Sequence, residues 1–198
     1  MSEFWNERYR EKDYVYGEEP NVFFKEQIQK LTPGTVILPC EGEGRNAVYA
    51  ASLGWQVHAF DSSAEGRRKA LLLAEKKGQA IEYAAEDALT AHYPDESAEV
   101  VAFIYAHFVP QVRKHILPES VRWLKSGGRI ILEGFNPLQL KNHSGGPKEP
   151  AMLYTEDMLR EDFAGLKIEW LQSLQITLKE GKYHQGLADV VQFVGIKG

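Results

Sequence analysis

Uninterrupted apolar runs alternate along this chain with segments whose apolar positions recur every three or four residues. "TVILP", "QVHAF", "AIEYA", "AEVVAFIY" and "GRIILEGF" read as strands. "RNAVYAASLG", "SAEGRRKALLLAEKKG" and "PQVRKHILPESVRWLK" read as the helices between them. That alternation predicts an α/β domain, a largely parallel sheet with helices on both faces. Gly54, Gly78 and the pair Gly127–Gly128 supply the helix stop signals.

After Phe135 the pattern changes. A polar, glycine-rich loop, "NPLQLKNHSGGPKEPAM", leads to "YTEDMLREDFAG", where Thr155 can cap a short helix. "KIEWLQSLQITL" and "ADVVQFVGIK" then read as strands joined by the turn-rich "KEGKYHQGL", an antiparallel pair. The 17-residue loop from Asn136 is longer than a connection needs and is expected to cover something. At the other end, Trp5 and Tyr9 fit an amphipathic helix packed on the sheet. "YVYGEEPN", from Tyr14 to Asn21, contains Gly17 and Pro20, which exclude a regular helix, and its aromatic residues fit a lid over a ligand site. The domain organisation expected is one domain over residues 1–198, with residues 1–30 as an aromatic cap and residues 136–154 as a substrate-side loop.

Composition narrows the partners. The 28 acidic and 23 basic residues give a formal charge of −5, which offers no overall attraction to nucleic acid or anionic lipid. The single cysteine, Cys40, has no intrachain partner, which suits a reducing cytoplasm. No apolar stretch approaches membrane-spanning length, and the charged start "MSEFWNERYREKD" lacks the apolar core of an export signal. A cytoplasmic protein acting on a small molecule is expected, with no nucleic acid and no membrane as partner; composition leaves the oligomeric state open.

The chemistry concentrates in "LPCEGEGRNAVYAASLGWQVHAFD". Gly42-x-Gly44-x-x-Ala47 satisfies the loose dinucleotide fingerprint, and Asp61 lies nineteen residues after Gly42, where a ribose-binding acid belongs. Glu41 and Glu43 flank the glycines, where a carboxylate repels a pyrophosphate and tolerates a cation. S-adenosylmethionine, with a sulfonium, an ammonium and no phosphate, fits that loop. Glu86 and Asp87 follow the third strand, placed for a carboxylate to accept from an adenine amino group; Glu86 reads equally as an exposed neighbour. Cys40 reads as a small buried residue in place of glycine, and Arg45 as either solvated or fixing the loop beside Glu41 and Glu43. An NAD-dependent oxidoreductase and a noncatalytic cofactor sensor remain alternatives. His107 follows the fourth strand and reads either as a reacting group or as a hydrogen-bonded wall residue. His143 and His184 fall in the loop and in the terminal turn, without the close spacing of a metal site, and no metal is expected.

"FWNERYREKDYVYGEEPNVFFKE", "GEGRNAVYAASLGWQVHAFDSS", "AEDAL", "FIYAHF", "SGGRIILEGF", "GGPKEPAMLYTEDMLREDF" and "EGKYHQGLADVVQFVGIKG" resemble, in order and over nearly the whole chain, class I S-adenosylmethionine-dependent methyltransferases, with most likeness to the tellurite-resistance methyltransferase-related bacterial group. The resemblance implies a Rossmann-like, seven-stranded, mostly parallel sheet with an antiparallel C-terminal pair. It implies methyl transfer from S-adenosylmethionine to a small acceptor such as a thiol or a metalloid oxyanion. By the same resemblance Cys40, Glu41, Gly42, Glu43, Gly44 and Asn46 line the cofactor, Asp61 holds both ribose hydroxyls and Ser62 lies beside the ribose. Asp87 and the backbone of Ala88 meet the adenine, while Tyr105 and His107 face the transferable methyl as catalytic candidates. The sequence departs from the common pattern at Leu38, where that family carries an acid that orients the cofactor's amino end; the task falls to Glu41, Glu43 or a water.

Overall fold

The computed structural model describes residues 2–198. Strands β1 (Thr35–Pro39), β2 (Gln56–Asp61), β3 (Glu82–Ala85), β4 (Ala98–Ile104) and β5 (Leu124–Phe135) run parallel. β6 (Leu166–Glu180) and β7 (His184–Lys197) add an antiparallel pair, giving the seven-stranded order β3-β2-β1-β4-β5-β7-β6. β1 lies between β2 and β4, so successive crossovers leave it in opposite directions. A crevice opens outside the carboxyl ends of the strands at such a point.

Among the described residues six α-helices accompany the sheet: α1 (Ser2–Tyr9), α2 (Val22–Ile28), α3 (Arg45–Ser52), α4 (Ala64–Lys76), α5 (Pro110–Trp123) and α6 (Glu156–Asp162). Side chains alternate across a strand, so β1 feeds two layers. Val36 and Leu38 pack with Phe24, Ala47 and Ala70 under α2, α3 and α4. Ile37 packs with Trp123, Ile130 and Leu159 under α5 and α6. Leu38 has no exposed surface, and burying such a side chain contributes about 1.5–3 kcal/mol. Among the described residues no helix is long and apolar enough to cross a membrane.

Three local expectations need correction. α1 packs against α4 rather than on the sheet, with Phe4, Trp5 and Tyr9 turned to the cavity described below. Gly127 and Gly128 do not end α5; the chain passes from Trp123 straight into β5, and residues 125–128 bulge out where the register moves from Ala98↔Leu124 to Val100↔Arg129. A bulge needs the positive φ that Gly127 supplies at +77°. Finally, "KEGKYHQGL" is not an open connection. β6 runs on to Glu180 and β7 starts at His184, leaving a three-residue hairpin tip of residues 181–183.

That hairpin overhangs the sheet. Phe135, the last residue of β5, pairs with Val190, whereas β7 begins at His184. The residues from His184 to Asp189 therefore project past the carboxyl edge, above the crevice.

Candidate active site

The carboxyl edge opens into a cavity of about 580 Å³, within the range of small-molecule sites. The segments following β1, β2, β3 and β4 supply Cys40 to Glu43, Asp61 with Ser62, Asp87 with Ala88, and Tyr105 to Val109. Arg45 and Asn46 from the start of α3, Phe135, Met152 and His184 complete the floor and walls, and α1 with Tyr16 closes the mouth.

The glycine turn is built by three left-handed residues, Cys40 at φ 55°, Gly42 at φ 60° and Gly44 at φ 84°. Cys40 thus stands where glycine is the easier choice, and burial pushes its thiol well above the usual range. At Gly42 a Cβ would lie 2.6 Å from the Tyr9 hydroxyl, so glycine lets α1 close on the loop. Gly44 does not meet the cavity. It is the N-cap of α3, and a Cβ there would lie 2.5 Å from Cβ of Ala70 on α4. Its place in the motif serves helix packing rather than the ligand.

Glu41 and Glu43 have separate duties. The Glu41 carboxylate turns back onto α3, accepting at Oε1 from the N–H groups of Asn46 and Ala47, both at 2.8 Å, and at Oε2 from Asn46 Nδ2 at 3.2 Å. Burial pushes Glu41 up to about 7, and these bonds oppose a larger rise. The free N–H groups that make a helix start an anion site are thereby taken by the chain's own carboxylate. Glu43 pairs instead with Lys69 Nζ at 2.5 Å and accepts from the N–H of Val15 at 2.9 Å. Its carboxylate ties the Val15 backbone to α4, and the residue lines the cavity at the same time. Arg45 joins neither acid; its Nη2 pairs with Glu180 Oε2 at 2.9 Å.

Asp61 ends β2 almost buried, with Oδ1 accepting from Ser63 N–H at 2.8 Å and Oδ2 from Gly42 N–H at 3.1 Å. Burial raises it to about 6, the two N–H groups opposing. Each oxygen keeps a second lone pair for a donor from the cavity. Asp87 is exposed and uses Oδ1 on the N–H of Leu89 at 2.9 Å, leaving its other oxygen free, while Ala88 is buried beside it.

Tyr105 and His107 occupy the end of β4. The Tyr105 hydroxyl donates to Glu133 Oε1 at 2.8 Å, and that buried carboxylate also accepts from Asn21 Nδ2 and Gln192 Nε2, each at 2.6 Å. Burial and the Glu133 charge hold the phenol well above its usual value, so it remains a donor. His107 lines the cavity in the geometry of a hydrogen-bonded wall residue. Its Nδ1 lies 2.8 Å from the carbonyl of Met152, and its Nε2 accepts from Phe135 N–H at 3.1 Å. Both ring nitrogens are spent on the wall, and burial lowers the imidazole to about 4.

The segment from Tyr14 to Asn21 is tied on several sides. Lys182 N–H donates to Val15 O at 2.9 Å, Arg45 Nη1 to Tyr16 O at 3.2 Å, and Asn21 N–H to Asn46 Oδ1 at 2.9 Å. Lys69 Nζ adds bonds to the carbonyls of Glu11 and Asp13 at 2.9 and 2.6 Å. Tyr9, Tyr16, Phe135 and His184 were not singled out individually as site residues in the sequence. His184 was hidden because its strand assignment depended on the length of the hairpin.

Fold and site together define the class I methyltransferase architecture, a seven-stranded sheet with a reversed terminal pair and a glycine turn at its switch point. Residues 40–132 match the family profile described as a methyltransferase domain. No curated protein sequence matches the chain. Among solved structures, one concerned with the conversion of a disulfide bond into a thioacetal group during echinomycin biosynthesis is 20% identical, with a TM-score of 0.78 over 98% of this chain and 90% of its own. TehB from Haemophilus influenzae is 14% identical, with a TM-score of 0.73 over 100% of this chain and 67% of its own. A SAM-dependent methyltransferase from Methanosarcina mazei is 18% identical, with a TM-score of 0.67 over 90% and 98%. Since 1058 solved chains match, likeness to TehB specifies architecture and no particular acceptor.

The residues fit S-adenosylmethionine. Asp61 keeps free acceptor capacity, the Gly42 turn admits close backbone approach, and Glu41 closes the start of α3 to phosphate while leaving negative potential beside the cavity. When bound, that cofactor supplies a methyl group on a cationic sulfonium.

Proposed function

We propose that the protein methylates a small, largely apolar acceptor, a thiol in preference to a metalloid oxyanion. One observation carries this reading: the wall beyond the cofactor turn is apolar, formed by Trp5, Phe108, Val109, Val112, Phe135 and Met152. An oxyanion needs cations to replace its hydration. Of the three cations that line the cavity, Arg45 is held by Glu180, and Arg8 donates to the Tyr16 hydroxyl and lies over the Phe4 and Trp5 rings, which leaves Lys148 outside any ion pair among the described residues. Tellurite is therefore the less favoured acceptor, despite the likeness to TehB.

In this reading Asp61 and Ser62 hold the ribose, Asp87 and Ala88 the adenine, and Cys40 to Gly42 with Asn46 the methionine end. Tyr105 and His107 shape the wall facing the acceptor. The lid of Tyr14 to Asn21 and the loop of residues 136–154 exclude water, which alignment-driven displacement requires more than covalent catalysis. The capped start of α3 supports this reading over a dinucleotide-dependent oxidoreductase. The test is incubation of the purified protein with methyl-labelled S-adenosylmethionine and alkyl thiols, aryl thiols, phenols, selenite or tellurite. Labelled thioether is expected; label on tellurium alone overturns the acceptor assignment. Binding of S-adenosylhomocysteine without any labelled product favours a sensor.

A further inference from the structure

We propose that His184 is the base that takes the acceptor's proton and that Glu180 is its positioning residue, an inference that rests on the methyltransferase reading above. His184 is 5% exposed, yet its ring borders the cavity. Its Nδ1 lies 3.2 Å from Glu180 Oε2. Glu180 also receives Arg45 Nη2 at 2.9 Å and Asn21 Nδ2 at 3.4 Å, and, against burial, His184 and Arg45 hold its carboxyl down at about 2. An acceptor-only carboxylate obliges Nδ1 to carry the hydrogen. In the neutral ring Nε2 is then bare.

Nε2 hydrogen-bonds to no protein atom among the described residues, the opposite of His107, whose two nitrogens are both engaged. Nε2 is not sealed inside the protein, so a ligand or water can meet it. Gly145 packs along that edge of the ring, where at φ 116° a Cβ would lie 2.8 Å from His184 Cδ2 and 3.2 Å from Nε2 and would crowd the free nitrogen. The rings of Tyr16, Tyr105 and Phe135, with centroids 4.5, 4.6 and 5.4 Å away, fix the imidazole plane. The charged groups around it are Glu180, Arg45 and Arg8, and burial holds the imidazole below its usual value, hence neutral at pH 7. Carboxylate, imidazole and free nitrogen form the sequence that orients a general base.

The step balances without a further reactant. The acceptor sulfur forms a bond to the methyl carbon as the carbon–sulfonium bond breaks, its electron pair remaining on the departing sulfur. The thiol proton passes to His184 Nε2, and the imidazolium, facing Glu180, later releases it to solvent. An acceptor that is already ionised has no use for this group; one that arrives with its proton does. The base thus selects protonated thiols within the acceptor class.

The experiment compares wild type with His184→Gln, and Glu180→Gln as the positioning variant, on two probes. Benzyl mercaptan keeps its proton at pH 7, whereas 4-nitrothiophenol is ionised. General bases contribute about 10²–10⁴ in rate, so His184→Gln is expected to lose about a hundredfold more turnover with benzyl mercaptan than with 4-nitrothiophenol. Calorimetry with S-adenosylhomocysteine and melting of each variant separate this from misfolding. Nitrogen-15 NMR of the histidine-labelled wild type reads the tautomer directly, with Nδ1–H and a bare Nε2 expected for His184. Equal losses with the two thiols, or an Nε2–H tautomer at pH 7, overturn the proposal even if Glu180→Gln simply unfolds. Failure of the underlying reading looks different: wild type then makes no methylated thiol of either kind, and the inference falls with it.

Discussion

Asp61→Asn tests the registration of the cofactor on the sheet and has two readouts of opposite sign. Burial raises Asp61 to about 6 in the folded chain, against 3.8 for an unburied aspartate. The folded state therefore holds this proton more tightly, and ionised Asp61 weighs against folding above the unfolded value. The penalty is absent below about pH 4, grows as pH rises, and is complete above about pH 6. A shift of roughly two units corresponds to about 3 kcal/mol at 1.36 kcal/mol per unit. Asn carries no such charge but gives up one acceptor for Gly42 or Ser63 N–H, a loss of about 1–3 kcal/mol that does not depend on pH. The difference in stability between variant and wild type should thus move by about 3 kcal/mol in the variant's favour between pH 4 and pH 7. At this chain length that is roughly 6–12 °C in Tm. Cofactor affinity is expected to move the other way, because in the proposed reading the ionised oxygens accept from the ribose hydroxyls. Removing one such acceptor is expected to cost about tenfold to several hundredfold in Kd, and wild-type affinity should itself fall below about pH 6. Melting of both apo proteins from pH 4 to 8 and titration with S-adenosylhomocysteine measure the two effects. A Tm difference that is flat with pH refutes the desolvated carboxylate, and equal affinities remove Asp61 from the ribose.

Lys69→Met leaves Glu43 buried without its cation and should cost about 3–5 kcal/mol, with Glu43→Gln in the same chain restoring part of it; denaturant titration reads both. Glu41→Ala frees the N–H groups of Asn46 and Ala47, and the variant should acquire affinity for inorganic pyrophosphate that wild type lacks, as seen by calorimetry. His107→Ala orphans the Phe135 N–H and should lower stability by about 1–3 kcal/mol while leaving the pH dependence of turnover unmoved; disappearance of a pH limb would return it to the chemistry.

The parallel strands, their order of chemistry and the glycine turn were legible because each depends on local pattern. "TVILP" to "QVHAFD" placed Asp61 correctly at the end of β2, since a strand–helix–strand unit fixes its register within one continuous stretch. What was not legible depends on contacts distant in sequence. The ties of Glu43 to Lys69 and Val15 reach 26 and 28 residues along the chain. His107 and His184 could not be ranked from sequence, because the distinction lies in whether a second nitrogen finds a backbone partner. His107 meets Met152 and Phe135, delivered by the loop and by β5. His184 meets Glu180 only because β6 and β7 zip to within three residues of each other, where the glycine and lysine content suggested an open turn.

The acids around the cavity separate by the kind of partner that holds them. Glu43 and Glu180 face fixed cations, Lys69 and Arg45, and both serve parts that must stay closed: Glu43 the lid, Glu180 the overhanging hairpin. Glu41 and Asp61 have no lysine or arginine within ion-pair distance among the described residues; backbone N–H groups and Asn46 alone hold them. Burial pushes both up, to about 7 and about 6, with those hydrogen bonds opposing. A carboxylate left in that condition gains from any cation that enters, and entry of one lowers its pKa again. A sulfonium with an ammonium close by supplies the missing charge. In the proposed reading Glu41, three positions after Leu38, takes the task of the family's acid from within the turn, held there by the start of α3 and facing the cofactor's positive end.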